Sequence, residues 1–287
     1  MILDRFYSPP EDEIVYHYCP PQAFLEIVRS RRMWHSAYYA LNDLSERRWA
    51  YDMFAKTLTE MKEEIDPKFS DVARIMVEMA LRSSVVMISS YSLDPDVLSQ
   101  WRAYADDGRG FAIGFNAVQM EMPAKSLRVL YDEEMQRKEL TGNLRHTYEY
   151  EKSIGFKFDE QFKSHLFNIG LDLCAYKHPT FREEKEIRRA HISGLVPEGK
   201  SARILALGAL DQDGNRKSGP MEIHFRVARG VVIPYVALDY TNEGKSSPIK
   251  DVVLGPRNDN AVSNIELFLN TVDVKNVAVR RSAVPYA

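Results

Sequence analysis

Apolar positions along this chain switch between a period of two and a period near three and a half, and the switches predict its elements. Ile14-Val-Tyr-His-Tyr-Cys19 is a β-branched and aromatic run halted by Pro20-Pro21, which predicts a first strand. Ala23, Phe24, Ile27 and Val28 then recur at helical spacing, and Met33 to Tyr39 predicts a second strand closed by turn chemistry at Asn42-Asp43. From Leu44 the pattern is helical. Trp49, Met53, Met61 and Ile65 share one stripe, and after Asp66-Pro67 a second helix is marked by Val72, Ile75, Met76 and Met79. A methionine and aromatic stripe of this kind is core packing rather than a cofactor box. Val85 to Ser92 predicts a buried strand. Asp94-Pro95-Asp96 is expected to cap a short helix carrying Trp101 and Tyr104, before a strand at Gly110 to Phe115.

Leu127 to Tyr131 predicts another strand, and one long helix is expected over about 144–176, because Tyr150, Ile154, Phe158, Phe162 and Leu166 keep a constant helical step. Lys177-His178-Pro179 ends it, since proline disfavours helical geometry in the residue before it. A charged strand follows. In an extended chain Glu184, Glu186 and Arg188 share one face and Lys185, Ile187 and Arg189 the other. Such a face is either a solvated sheet edge, where charge deters unwanted pairing, or the floor of a cleft. Further strands are expected at Ile204 to Leu210, Glu222 to Val227, Val231 to Leu238, Ile249 to Leu254 and Val274 to Val279, with a turn at Asp213-Gly214-Asn215. Asp259 or Asn260 is placed to cap the helix carrying Ile265, Leu267, Phe268 and Leu269. Helices gathered before a C-terminal run of strands predict an α+β fold, not a doubly wound sheet. A single domain over 1–287 is expected, with a helical insertion at about 44–82.

Composition adds little to this. With 287 residues, 45% hydrophobic and 28% charged, there is ample material for a core, and a net charge of -3 gives no sign of wholesale phosphate neutralisation. Basic runs at 29–32, Arg47-Arg48, Arg188-Arg189 and Arg280-Arg281 are each first a solvated surface. Cys19 and Cys174 cannot make a disulfide scaffold and fit a reducing compartment. No stretch is apolar enough for a signal peptide or a bilayer span, so the expected location is cytoplasmic, with no membrane partner.

Familiar catalytic motifs are missing. Gly108-Arg-Gly-Phe-Ala-Ile-Gly114 precedes a strand instead of opening a helix and has its third glycine one residue late, which excludes a dinucleotide loop. Cys174 and His178 have no partner pair for zinc, so no metal is expected. There is no P-loop, no H-E-x-x-H and no G-x-S-x-G. On periodicity alone His17 is a structural histidine, and Trp101 and Tyr104 are a packing pair.

Four groups of segments nevertheless form a set. Val15-Tyr-His-Tyr18 with Trp34-His-Ser36 and Asn42-Asp-Leu-Ser-Glu46 make the first. Ser89 to Tyr91 with Gln100-Trp-Arg-Ala-Tyr104 and Gly110 to Phe115, then Phe181-x-x-Glu-Lys-Glu-Ile-Arg188, then Val253-Leu-Gly-Pro256 complete it. Together they resemble the bacterial domain-of-unknown-function 2971 family, with Phe181 at its tryptophan position and Leu44 at its proline position. That layout is similar to the ADP-ribosyltransferase superfamily, most of all the toxin-type enzymes that modify DNA or RNA. The resemblance implies a split β-sheet core with helical insertions, NAD as co-substrate, a macromolecular acceptor (nucleic acid or protein) and a role as a toxin or phage-defence effector, with an antitoxin or inhibitor protein as a further partner. It also implies a site built from His17, with Tyr18 beside it, from Ser36 or Tyr38, and from Glu186 with Glu184 as its E-x-E partner.

The chemistry gives reasons for that set. Nicotinamide leaves NAD as a neutral molecule from a cationic glycoside, so no general acid is required, unlike ordinary glycoside cleavage. One carboxylate beside the ribose, Glu186, can stabilise the oxocarbenium-like charge as it develops. His17 would hold ribose hydroxyls, Tyr38 or Tyr104 would stack on nicotinamide, and Arg102, Arg109 or Arg188 would meet the pyrophosphate. Glu184 would orient or deprotonate the acceptor; its plain alternative is a salt bridge to Arg188. NAD hydrolysis is the nearest enzymatic alternative, and a catalytically silent ligand-binding or interaction module is the alternative of another class.

Overall fold

Among the described residues eleven strands pair into one sheet that forks at its centre, and the fork decides where the candidate residues lie. The computed structural model describes residues 6–40, 44–206, 219–228, 230–241 and 246–286. The strands are β1 (Ile14–Cys19), β2 (Arg32–Ala37), β3 (Ser84–Ser92), β4 (Phe111–Asn116), β5 (Lys125–Arg128), β6 (Glu186–Glu198), β7 (Ser201–Ala206), β8 (His224–Ala228), β9 (Val231–Asp239), β10 (Ile249–Leu254) and β11 (Ala278–Arg281). The helices are α1 (Pro21–Ser30), α2 (Leu44–Glu60), α3 (Pro67–Ser83), α4 (Leu98–Tyr104), α5 (Glu133–Ser153), α6 (Glu160–Asp172) and α7 (Val262–Thr271). This is a mixed α+β architecture.

β3 and β6 form the stem, antiparallel from Ser84↔Gly194 to Ser92↔Glu186. Because β6 occupies one edge of β3 along its whole length, β1 and β2 must share the other. β2 takes Ile88 and Met87 through Ser36 and Ala37, and β1 takes only Ser92, through Tyr16. On its other edge β1 pairs with β4 along its whole length, from Ile14↔Asn116 to Cys19↔Phe111. One arm continues as β1-β4-β10-β11 and the other as β2-β9-β8. Between the arms the β3 edge at Ser89 to Tyr91 lacks a strand partner.

Each arm and the helical layer have their own apolar filling. Phe24, Ile27 and Val28 of α1 and Ile265 and Leu269 of α7 bury against Val15, Ile113, Phe115 and Val252 of the first arm. Phe54 and Leu58 of α2, Phe69 and Val77 of α3, Leu140 and Leu144 of α5 and Phe162 and Leu166 of α6 make the helical core. That layer confirms helices at 44–60 and 67–83, with Asp66 accepting a hydrogen bond from the Lys68 backbone at 2.8 Å ahead of Pro67. Gly110 is needed for close approach, since a Cβ there would lie 2.1 Å from the Cys19 carbonyl oxygen.

Several sequence expectations fail here for local reasons. The single helix over 144–176 is two helices, because Gly155, Phe156 and Phe158 all adopt positive φ and the Asp159 side chain caps a new start at Phe162 N. Phe158 and Phe162 still reach the same core, which is why the helical step looked continuous. The charged strand begins at Glu186; Glu184 ends a 3-10 turn over Pro179–Glu184, and Lys185 is left-handed with φ 43°. β6 is an interior strand, so the solvated-edge reading of its charges is wrong: Glu186 is 5% and Arg188 2% exposed. Ala261, not Asp259 or Asn260, precedes α7, and no side chain caps it. Val97 precedes α4, while Asp96 accepts the Trp101 indole N–H at 2.7 Å. The turn expected at Asn42-Asp43, the end of the strand at 204–210 and the turn at 213–215 lie outside the described residues.

Candidate functional site

The face of β6 that carries Glu186 and Arg188 supports a buried ionic cluster. Lys177 Nζ lies 2.5 Å from Glu184 Oε2, 2.9 Å from Glu46 Oε1 and 3.3 Å from Glu186 Oε2. Arg188 reaches Glu186 through Nε at 2.7 Å and Nη2 at 2.8 Å, and reaches Glu46 Oε2 through Nη2 at 2.9 Å. Three carboxylates thus meet two cations. Aromatic side chains close the cluster: the Phe181 ring lies 4.8 Å from Lys177 Nζ, the Tyr38 ring 5.4 Å from the Arg188 guanidinium, and Tyr104 donates to Glu184 Oε1 at 3.1 Å. Gln100 and Ser92 both donate to the Glu184 carbonyl, at 3.1 and 2.8 Å, fixing the 3-10 turn against β3 and α4.

The two glutamates of the E-x-E pair are pushed apart in acidity. Burial raises the Glu184 pKa, and the charge of Glu186 adds to the rise. Burial acts on Glu186 in the same direction, but Arg188 and Lys177 outweigh it and hold its carboxyl at about 2. Two carboxyls with opposed tendencies thus sit beside one shared ammonium, an arrangement able to divide acid and base roles between them.

His17 stands in the fork. Its Nδ1–H donates to the Ser90 carbonyl at 2.9 Å, occupying a β3 edge group that no strand pairs, so Nε2 carries the lone pair. Burial lowers its pKa, and the charge of Arg226 lowers it further. Arg226, on β8, donates from Nη2 to Ser36 Oγ of β2 at 3.1 Å, while its buried Nε has no partner among the described residues. Among the described residues no carboxylate pairs with this guanidinium. The hydroxyl side of Ser90 favours the ionised form of Glu186. One serine of the stem is therefore touched by the His17 strand on one side and the Glu186 strand on the other.

The remaining sequence candidates divide by position. Arg188, Tyr38, Tyr104 and Glu184 join Glu186 in the ionic cluster, and His17 and Ser36 line the fork. Tyr18 is instead an anchor: it donates to the Asp94 carbonyl at 3.0 Å, accepts from Val97 N at 3.0 Å and packs edge-on to Trp101. Arg102 and Arg109 are exposed on the α4 side, where Arg102 lies 5.9 Å from the Tyr286 ring. Sequence reasoning had no role for Lys177, Glu46 or Arg226. Glu46 and Lys177 each lay inside a quoted string, but nothing local distinguishes a lysine whose side chain is 3% exposed from a solvated one. Arg226 sits in the alternation His224-Phe-Arg-Val227, which reads as an ordinary half-exposed strand.

Among the described residues no group of three or more His, Cys, Asp or Glu is placed to hold a metal ion, and no helix is long and apolar enough to cross a membrane. Both cysteines are buried, and neither is in a disulfide among the described residues.

Residues 100–189 match the model of a family described as a protein of unknown function, DUF2971. The matched stretch contains Gln100, Tyr104, Lys177, Glu184, Glu186 and Arg188, and so most of the ionic cluster. No curated protein and no solved structure gives a match.

Proposed function

We propose that this chain is an NAD-dependent ADP-ribosyltransferase acting on a macromolecule, with its reacting centre at the fork of the sheet. The observation that supports the reading is the grouping about the β3 stem: His17 of β1 bonded to the Ser90 carbonyl, Arg226 bonded to Ser36 of β2 with no carboxylate partner among the described residues, and Glu186 of β6, whose ionised form the Ser90 hydroxyl favours. Each has a task in breaking a ribose–nicotinamide bond. Glu186, kept charged by Arg188 and Lys177, stabilises positive charge as it grows on the sugar. His17 offers Nε2 as an acceptor to a ribose hydroxyl. Arg226 faces the pyrophosphate, in place of Arg102 and Arg109, because it stands beside Ser36 and no carboxylate pairs with it among the described residues. Glu184, with its raised pKa, exchanges a proton with the acceptor.

Glu186 must admit the sugar into a shell that is already filled. Its longest contact is the 3.3 Å one to Lys177, whose ammonium keeps Glu184 and Glu46 if that contact is given up. A ribose hydroxyl can therefore replace Lys177 at Glu186 without stranding a buried charge.

A second reading is favoured by the same burial. At 5% exposure with its oxygens engaged, Glu186 also suits a catalytically silent module in which the cluster only fixes the fold. Nicotinamide release from NAD, followed with and without nucleic acid or cell lysate, separates the readings. Release that requires an acceptor supports the transferase, and release in buffer alone supports a glycohydrolase. No release, together with no rise in melting temperature on adding NAD, supports the silent module.

A further inference from the structure

One face of the arm β2-β9-β8 carries three rings in a row, one from each strand. Ser36 of β2 and His224 of β8 both lie opposite Tyr235 of β9, so alternation puts Trp34, Ser36, Tyr235, His224 and Arg226 on the same face. The Trp34 and Tyr235 rings are 5.2 Å apart, centroid to centroid, and those of Tyr235 and His224 are 5.3 Å apart. The other face of the arm is the filled one: Met33, Val236 and Leu238 are buried in apolar cores. Neither Trp34 nor Tyr235 packs against any apolar core of the described residues, and all three rings are partly exposed. Cross-strand packing alone is served as well by β-branched side chains. Open rings on neighbouring strands are how a sheet face holds flat ligands.

Ring chemistry and charge together choose the occupant. Unpaired bases stack on such a row whatever their sequence, because every base has a π-face. At the ends of the row the charges differ. Asp239 lies opposite Arg32, and Glu222 stands 3.9 Å from His224, so both outer corners are balanced. Arg226, bonded to Ser36 and with no carboxylate partner among the described residues, leaves the inner end at the fork as the one that favours an anion. A polyanion held by charge alone would find little here, whereas a chain with both bases and phosphates fits the rings and the guanidinium. We infer that this face binds unpaired nucleotides of single-stranded nucleic acid, with bases on Trp34 and Tyr235 and the chain leading to the fork. The inference rests on the transferase reading, whose acceptor it names, but the binding needs no NAD and is read without turnover.

The test is fluorescence anisotropy of a labelled single strand of about twelve nucleotides, as DNA and as RNA, titrated with the full chain in the absence of NAD. Saturable binding with a Kd below ~100 μM is expected for at least one of them, with the duplex of the same sequence about ten-fold weaker or more. Polyphosphate should compete poorly. Trp34→Leu and Tyr235→Leu should each weaken binding about ten-fold or more, and His224→Leu less. Where a variant does not fold, ultraviolet crosslinking of a bromouracil-bearing strand to the wild-type chain, mapped by mass spectrometry, should fall on Trp34 or Tyr235. The inference is overturned if no single strand saturates the chain, if duplex or polyphosphate binds as well, if the folded leucine variants bind as tightly as wild type, or if crosslinks fall elsewhere. It is also overturned if the rings instead take a proline-rich peptide or a second copy of this chain, read by anisotropy and sedimentation. Saturable strand binding with no nicotinamide release under any condition upholds this surface and fails the transferase reading alone. Release that needs a strand but is unaffected by either leucine variant fails this surface alone.

Discussion

Glu184→Gln and Glu186→Gln leave the ionic cluster with the same net charge, yet the geometry predicts opposite effects on stability. Each removes one of three carboxylates facing Lys177 and Arg188. If only net charge mattered the two variants would match. Glu186 titrates at about 2 in the fold against 4.5 when free, so its ionised form is favoured there by about 3 kcal/mol at neutral pH. Glu186→Gln also leaves Arg188 without its two closest oxygens, and breaking a buried pair from one side costs roughly 3–5 kcal/mol. Glu184 is raised, so its ionisation opposes folding at neutral pH, and Glu184→Gln should be neutral or stabilising. For a chain of this length, about 3 kcal/mol corresponds to a fall in Tm of roughly 5 °C.

The pH dependence has opposite signs as well. The contribution of Glu186, whose folded pKa is depressed, is present above 4.5 and is lost as pH falls toward 2, so the deficit of Glu186→Gln should shrink in acid. Glu184 has a raised folded pKa, so the wild type should lose stability as pH climbs from 4.5 through that value, and Glu184→Gln should flatten this slope. Urea denaturation followed by circular dichroism at several pH values measures both. Equal losses for the two variants, or a larger loss for Glu184→Gln, would refute the assignment.

Further expectations follow from other parts of the molecule. Burial depresses the pKa of His35 to about 3, so wild-type stability should fall as pH drops from 6.5, by ~2 kcal/mol at pH 5, and His35→Gln should remove that part of the slope in an acid titration of unfolding. Gly110→Ala places a methyl against the Cys19 carbonyl and should cost about 1–3 kcal/mol or more, read as a lowered urea midpoint with unchanged m. Arg226→Met should weaken NAD binding by roughly ten-fold while lowering Tm little, because charge-assisted hydrogen bonds to phosphate are worth ~1.5–3 kcal/mol and the guanidinium has no carboxylate to strand; unchanged affinity in calorimetry would exclude it from the site.

Periodicity exposed those parts of the fold whose burial is local and one-sided. β1 and β10 run over the residues that the sequence pattern indicates, and Met53 and Met61 of the first helical stripe do bury in the helical core, but the stripe read on α3 is the wrong face: Ile75 and Met79 are exposed and Phe69, Ala73 and Val77 are buried instead. It failed where backbone conformation carried the information. The break between α5 and α6 depends on positive φ at two phenylalanines, residue types that give no warning of it. The same limit hid the site's cations. Lys177 is buried because the 3-10 turn at Pro179–Glu184 folds Glu184 back over it, and Arg226 of β8 reaches Ser36 of β2 across the intervening strand β9. Both are long-range facts. Glu46, Gln100, Phe181 and Arg188 each stood in a motif segment, but only the folded chain makes them neighbours.

Histidine imidazole signals, followed by NMR during an NAD titration, test the location of the site most directly. His17, bonded to the Ser90 carbonyl, reports on the fork. The account predicts a saturable shift at His17, lost in Arg226→Met, with nicotinamide appearing once nucleic acid or cell lysate is added as acceptor. NAD that leaves His17 unmoved, or that moves only histidines remote from Ser90, would contradict it.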